Sequence, residues 1–216
     1  MKTTPIVDAS SFLSAQTLKN ILSIVQFGSS LHTDNPGDID LCVITKKGTF
    51  FDFLAGKPFM LIPKNIDISL VREEEIGDSN QFRFGSHGIH LLCSLQDGTA
   101  LYGENVFLKM PIPPVKLVRA SIFDRLYDYL YEVRKLEISR KKEVEHSLKK
   151  RWSKFQRLAL FLLDTKGEIT FPSVLTVSDS TVKEQFERYG LQYQREFTII
   201  GFEHIWEMIF AKNLQS

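Results

Sequence analysis

Residues Ile24-Val-Gln-Phe-Gly-Ser-Ser-Leu-His-Thr-Asp-Asn-Pro-Gly-Asp-Ile-Asp-Leu-Cys-Val-Ile44 decide how the rest of the chain is read. The apolar run Ile24 to Phe27 stops abruptly at Gly28-Ser29, which predicts a short buried strand ended by a turn. Asp34-Asn-Pro-Gly37 is a turn by composition. Asp38 then begins a second strand that runs to Ile44. Side chains two apart on a strand share a face. Asp38 and Asp40 are therefore expected on one side, with Ile39, Leu41 and Val43 on the other. Two carboxylates side by side at the mouth of an apolar strand repel each other, and a divalent cation is the commonest relief.

Further on, Asn65-Ile-Asp-Ile-Ser-Leu-Val71 reads as another strand carrying Asp67 among alternating apolar residues. The ordered set of a strand, Gly28-Ser29, Asp38-x-Asp40 on a second strand and Asp67 on a third resembles the nucleotidyltransferase superfamily with the DNA polymerase β-like fold. The likeness covers roughly the first half of the chain. It implies an α+β fold, a small mixed sheet flanked by helices, followed by a mainly helical region. It also implies a site in which Asp38, Asp40 and Asp67 hold two Mg²⁺ ions and act in catalysis, while Gly28 and Ser29 grip the phosphates of a nucleoside triphosphate, ATP above all. A basic residue often follows Gly-Ser in that family. Here Ser30, Leu31 and His32 stand in its place.

The physical reasons for these residue types are simple. A residue without Cβ lets the backbone approach a phosphate, and amides opening the next turn point at the anion. Mg²⁺ prefers carboxylates plus substrate phosphates to an all-protein cage. Other chemistries leave no trace: the sequence holds no Gly-x-Ser-x-Gly, no P-loop and no Cys-x-x-Cys. His87, His90 and His204 make no metal-ligand spacing with Cys42 or Cys93 and read as structural or surface residues. Both thiols sit in apolar settings and are expected to be reduced and buried.

Working outward, Ser10-Ser11 precede Ala15, Leu18, Leu22 and Val25 at helical spacing, which predicts an amphipathic helix leading into the first strand. Lys46 to Pro58 gives a short connection packed through Phe50, Phe51, Phe53 and Leu54. Glu73-Glu-Glu75 reads as a solvated loop. Phe82-Arg-Phe84 and Ile89-His-Leu-Leu-Cys93 read as strands, and Gln96-Asp-Gly98 as a turn leading to Ala100-Leu-Tyr-Gly103.

Pro111-Ile-Pro-Pro114 marks a boundary, and the expected units are 1–112, catalytic, and 113–216, a helical acceptor-binding or interaction region. Val115 to Lys166 holds no Gly or Pro. Ile122, Leu126, Tyr129, Val133 and Leu136 form one apolar stripe, and Val144, Leu148, Trp152, Phe155 and Leu162 a second. Two long helices broken near Ile138 to Lys142 are expected to pair as a hairpin. Their outer faces are expected to carry Arg119, Arg125, Arg134, Lys141, Lys142, Lys149, Lys150 and Arg151. After Asp164-Thr-Lys-Gly167, a helix near 182–189, a strand at 197–200 and a helix at 204–211 follow.

Composition sets the outer limits. With 43% hydrophobic and 25% charged residues over 216 positions, the chain can bury a proper core, and disorder is disfavoured. No apolar run approaches the roughly 20 residues that span a bilayer, and Met1 to Asp8 lacks the apolar core of a signal peptide, so a cytoplasmic location and no membrane partner are expected. Net charge is +1, yet residues 116–157 carry 13 Lys and Arg against 6 Asp and Glu. A basic block suits a polyanionic acceptor such as RNA, and a protein hydroxyl is the other acceptor the resemblance implies. The alternative function is a module of the same fold, an antitoxin or regulator, that acts by binding a protein partner.

Overall fold

A computed structural model describes residues 13–31, 38–56, 65–77 and 89–213. The structure is α+β and divides into two compact units, Met1–Pro114 and Val115–Ser216.

The first unit is built on a four-stranded mixed sheet: β1 (Ile21–Phe27), β2 (Ile39–Thr45), β3 (Ile66–Arg72) and β4 (Thr99–Tyr102), in the order β3-β2-β1-β4. β1 is antiparallel to β2 and to β4, and β2 is parallel to β3. A parallel pair needs a crossover, and here it contains the short helix α2 (Phe50–Ala55). Both faces of the sheet are covered, which is why the strands read as near-continuous apolar runs. On one face Leu13 and Phe53 close over Ile21, Ile24, Leu41 and Val43. On the other, Leu91, Leu92, Leu95 and Phe107 close over Val25, Phe27, Cys42, Ile44 and Val71. Cys42 and Cys93 are free and buried. Burial raises the Cys42 thiol well above its ordinary value and pushes Cys93 up to about 11. Neither is a thiolate nucleophile at neutral pH.

Four expectations are corrected here. Ile89 to Cys93 is not a strand but opens α3 (Ile89–Gln96), whose residues Ile89 to Leu95 are all buried. A short apolar run with every side chain buried has no periodicity to separate strand from helix. The N-terminal helix is a single turn, α1 (Ala15–Leu18), capped by the Ser14 hydroxyl accepting from the Thr17 amide. Leu22 and Val25, which share its spacing, belong to β1, where the branched residues Ile21, Ile24 and Val25 pair across the sheet. Of the aromatic residues in α2 only Phe53 enters the core; Phe51 is 75% exposed, and Arg72 lies over the Phe50 ring at 4.2 Å. The acidic run forms a 3-10 turn in which Glu75 accepts from the Arg72 amide and Glu73 from the Lys47 amide. Ser10, Ser11, His32, the turn at 34–37, the expected strand at 82–84 and His87 lie outside the described residues.

Gly103 follows β4 at φ 66°, and a Cβ there would overlap the Leu22 carbonyl. The close approach of the two chains, with Tyr102 donating its hydroxyl to the Leu18 carbonyl, requires glycine at that point.

The second unit is helical: α4 (Val115–Ser139), α5 (Lys142–Leu163), α6 (Asp179–Arg188) and α7 (Ile199–Asn213). α4 and α5 pair as the expected hairpin, with Arg140 at φ 49° between them. Val118, Ile122, Leu126, Tyr129, Val133 and Leu136 are buried on α4, and Leu148, Trp152, Phe155 and Leu162 on α5. The expected strand at 197–200 is instead the entry to α7. Phe197 packs edge-on against Trp152 at 5.5 Å, and the Thr198 hydroxyl caps the helix by accepting from the Gly201 amide. Among the described residues no helix is long and apolar enough to cross a membrane.

The basic block is largely engaged inside its own unit. Arg119, expected on an outer face, donates to the carbonyls of Phe161, Leu162 and Asp164 at the end of α5. Arg151 pairs with Glu132 and lies over the Tyr129 ring. Arg125 reaches Asp128, Arg157 donates to the Val177 carbonyl and Asp179, and Lys149 pairs with Glu145.

Candidate functional site

β1 ends, and β2 and β3 begin, at the same edge of the sheet. The backbone amide of Ile39 donates to the Asn65 carbonyl at 2.8 Å, which fixes the start of the parallel pair. From that bond the register runs Ile39 with Ile66, Asp40 with Asp67 and Leu41 with Ile68. Asp40 is also the partner of Phe27 on β1. Register partners share a face, so Asp40 and Asp67 lie side by side on adjacent strands about 4.8 Å apart. Like charges directly opposite one another destabilise a sheet.

Asp40 is half-buried and Asp67 is exposed on the edge strand. Asp38, half-buried, lies one residue before β2, so strict strand alternation ends just short of it. The set Asp38, Asp40 and Asp67 is therefore brought to one end of the sheet, with Asp40 and Asp67 in register.

The turn after β1 meets the same carboxylate. Gly28 opens a 3-10 turn, Gly28–Leu31, at φ 79°. A Cβ on Gly28 would stand 2.7 Å from Asp40 Oδ2. The glycine lets the backbone turn left-handed and leaves room for the Asp40 carboxylate against it. Gly28→Ala meets both obstacles. It is expected to cost about 1–2 kcal/mol from the left-handed backbone alone, read as a lower urea midpoint, and to displace Asp40 as well. Ser29 is the second residue of this turn.

Two residues that the motif did not single out shape the turn. Gln26 is 1% exposed and Ser30 is fully buried. The Gln26 side-chain amide donates to Ser30 Oγ at 3.1 Å, and Ser30 Oγ donates to the Phe27 carbonyl at 3.2 Å. The signal in the sequence was a glutamine inside an otherwise apolar strand.

Mg²⁺ needs only one or two carboxylates when phosphates and water complete its shell. Asp40 and Asp67, two hard oxygen donors in register, fit that requirement. Among the described residues no three His, Cys, Asp or Glu side chains form a ready-made metal cage. A cavity of about 530 Å³ lies in the helical unit, lined by Leu136, Glu137, Arg140, Glu145 and Phe197 among others, and it contains none of the three aspartates.

Fold and site together define an α+β protein with paired carboxylates and a glycine turn at one end of a mixed sheet. Compared with protein-family models and with curated proteins, the chain finds no match.

Proposed function

We propose that this protein is a metal-dependent nucleotidyltransferase of the cytoplasm. It moves a nucleoside monophosphate from a triphosphate, ATP first, to an acceptor hydroxyl on RNA or protein, and releases pyrophosphate. The observation that carries the reading is the in-register pair Asp40–Asp67 with Gly28 packed against the Asp40 carboxylate. A cation would suit two carboxylates side by side, and a phosphate would suit the glycine turn next to them.

Asp38, Asp40 and Asp67 would hold Mg²⁺, with the in-register Asp40 and Asp67 at the centre of the set. When bound, the metal neutralises charge on the triphosphate and on the entering and leaving oxygens. Gly28 and Ser29 would meet the β- and γ-phosphates, where a residue without Cβ lets the backbone come close to the anion. The acceptor oxygen bonds to the α-phosphorus, the bond to the bridging oxygen of the β-phosphate breaks, and pyrophosphate leaves. Asp67, the exposed member of the pair, would accept the proton of the acceptor hydroxyl at its carboxylate oxygen. The helical unit selects the acceptor. Because several of its arginines are tied to carbonyls and carboxylates, an RNA acceptor would be met by exposed bases such as Arg134, Lys141 and Lys142. RNA binding of that kind weakens steeply with salt.

The test is incubation of the purified chain with Mg²⁺ and each α-labelled nucleotide in turn, with cell RNA, cell protein or neither. Label in one acceptor fraction supports the reading and names the acceptor. Label in none, with a stoichiometric protein partner recovered instead, favours the partner-binding module.

A further inference from the structure

The geometry points to Gln26 and Ser30 as positioning residues that set the polyphosphate-binding turn, an inference that rests on the proposed nucleotide site. A fully buried glutamine within β1 needs a reason. Its strand partners are Leu41 on one side and Thr99 on the other, and burying an amide is unfavourable unless it is hydrogen-bonded. Its partner is the hydroxyl of Ser30, three residues beyond the end of its own strand.

The two bonds form a directed chain. The Gln26 amide donates to Ser30 Oγ, which leaves the Ser30 proton to go to the Phe27 carbonyl. That carbonyl belongs to the last residue of β1, and the chain closes over Gly28 and Ser29. Side-chain hydrogen bonds of this kind fix a turn that the backbone alone would leave to compete with other conformations. The opposite side of the turn is set by the Asp40 carboxylate against Gly28. The turn is thus held from below by Gln26 and Ser30 and from the side by Asp40. Neither Gln26 nor Ser30 touches substrate; they act through the position of Ser29 and its neighbours. The ligand chemistry they serve is a polyphosphate, so the effect is independent of the base.

The test is calorimetric titration of the full chain with Mg²⁺-tripolyphosphate and with Mg²⁺-ATP, alongside Mn²⁺ uptake without nucleotide. Ser30→Ala and Gln26→Leu are each expected to bind both phosphate ligands about tenfold more weakly, the scale of one lost ordering interaction, while Mn²⁺ uptake is unchanged. Because the two side chains act in series, the double variant binds no worse than the weaker single one. Wild-type affinity in a folded Ser30→Ala protein overturns the inference, and so does a parallel loss of Mn²⁺ uptake, which would mark general disorder. If Gln26→Leu fails to fold, Ser30→Ala decides alone. Wild-type protein that binds neither tripolyphosphate nor ATP overturns the nucleotide site itself, and this inference with it.

Discussion

Asp40→Ala is expected to abolish nucleotidyl transfer and to leave the protein folded. The two halves of this expectation have one cause. Asp40 stands in register with Asp67, and like charges so placed repel. Deleting one carboxylate relieves that repulsion, and the half-buried position loses little apolar contact. Catalysis has the opposite dependence. If Asp40 helps to hold the metal, its loss removes charge stabilisation worth several kcal/mol; a drop of about 10³-fold or more in rate corresponds to roughly 4 kcal/mol. A thermal melt beside a label-transfer assay reads both. A variant that melts far below wild type would show that Asp40 is structural.

The second large effect falls in the helical unit and concerns stability alone. The last carbonyls of α5 have no partner within the helix. Asp164 N takes that of Leu160. Arg119 donates to Phe161 O at 2.9 Å and Leu162 O at 2.5 Å, and reaches on to Asp164 O. Lys212 donates to Leu163 O at 3.2 Å from α7. Two cations therefore sit at one helix C-terminus, where the macrodipole favours positive charge. The Asp164 carboxylate, 2% exposed, continues the turn by accepting from the amides of Lys166 and Ile169. Arg119→Ala leaves two carbonyls of α5 without this donor. Hydrogen bonds to charged groups contribute about 1.5–3 kcal/mol each, and these share one guanidinium. A loss of about 2–4 kcal/mol is expected, which lowers Tm by roughly 10 °C or more for a unit of this size. Arg134→Ala, an exposed residue on the same helix, is expected within about 0.5 kcal/mol of wild type. Urea unfolding of the two variants side by side checks the contrast.

Arg119 also shows where the sequence could be read further than composition allows. As one of a run of bases it looked solvent-facing. Yet an antiparallel hairpin brings the start of α4 beside the end of α5, so a cation at position 119 is placed among carbonyls by topology. The apolar stripes were legible because buried helices repeat at 3.6 residues; Ile122 to Leu136 and Leu148 to Leu162 fell where that period put them. The carboxylates were legible for the same kind of reason. A strand's period of two made Asp40 and Asp67 face-bearing residues before any pairing was known, although the parallel register that aligns them came from the fold. Less was visible where apolar residues crowd without period. Ile89 to Leu95 is buried all round, and nothing in those residues marks helix over strand. Ile199 and Ile200 have strand propensity but sit in the first turn of α7, where Thr198 supplies the cap and Phe197 the anchor against Trp152. Gln26 was passed over inside an apolar run because its partner, Ser30, lies beyond the strand's end.

The metal–nucleotide site itself is open to direct measurement without knowing the acceptor. Mn²⁺ can replace Mg²⁺ and be counted by electron paramagnetic resonance in the presence of a non-hydrolysable ATP analogue. The proposed site predicts saturable Mn²⁺ binding that is tightened by the analogue and is lost in the folded variant Asp40→Asn/Asp67→Asn. Mn²⁺ binding that is identical in wild type and variant, or absent from both, would contradict it.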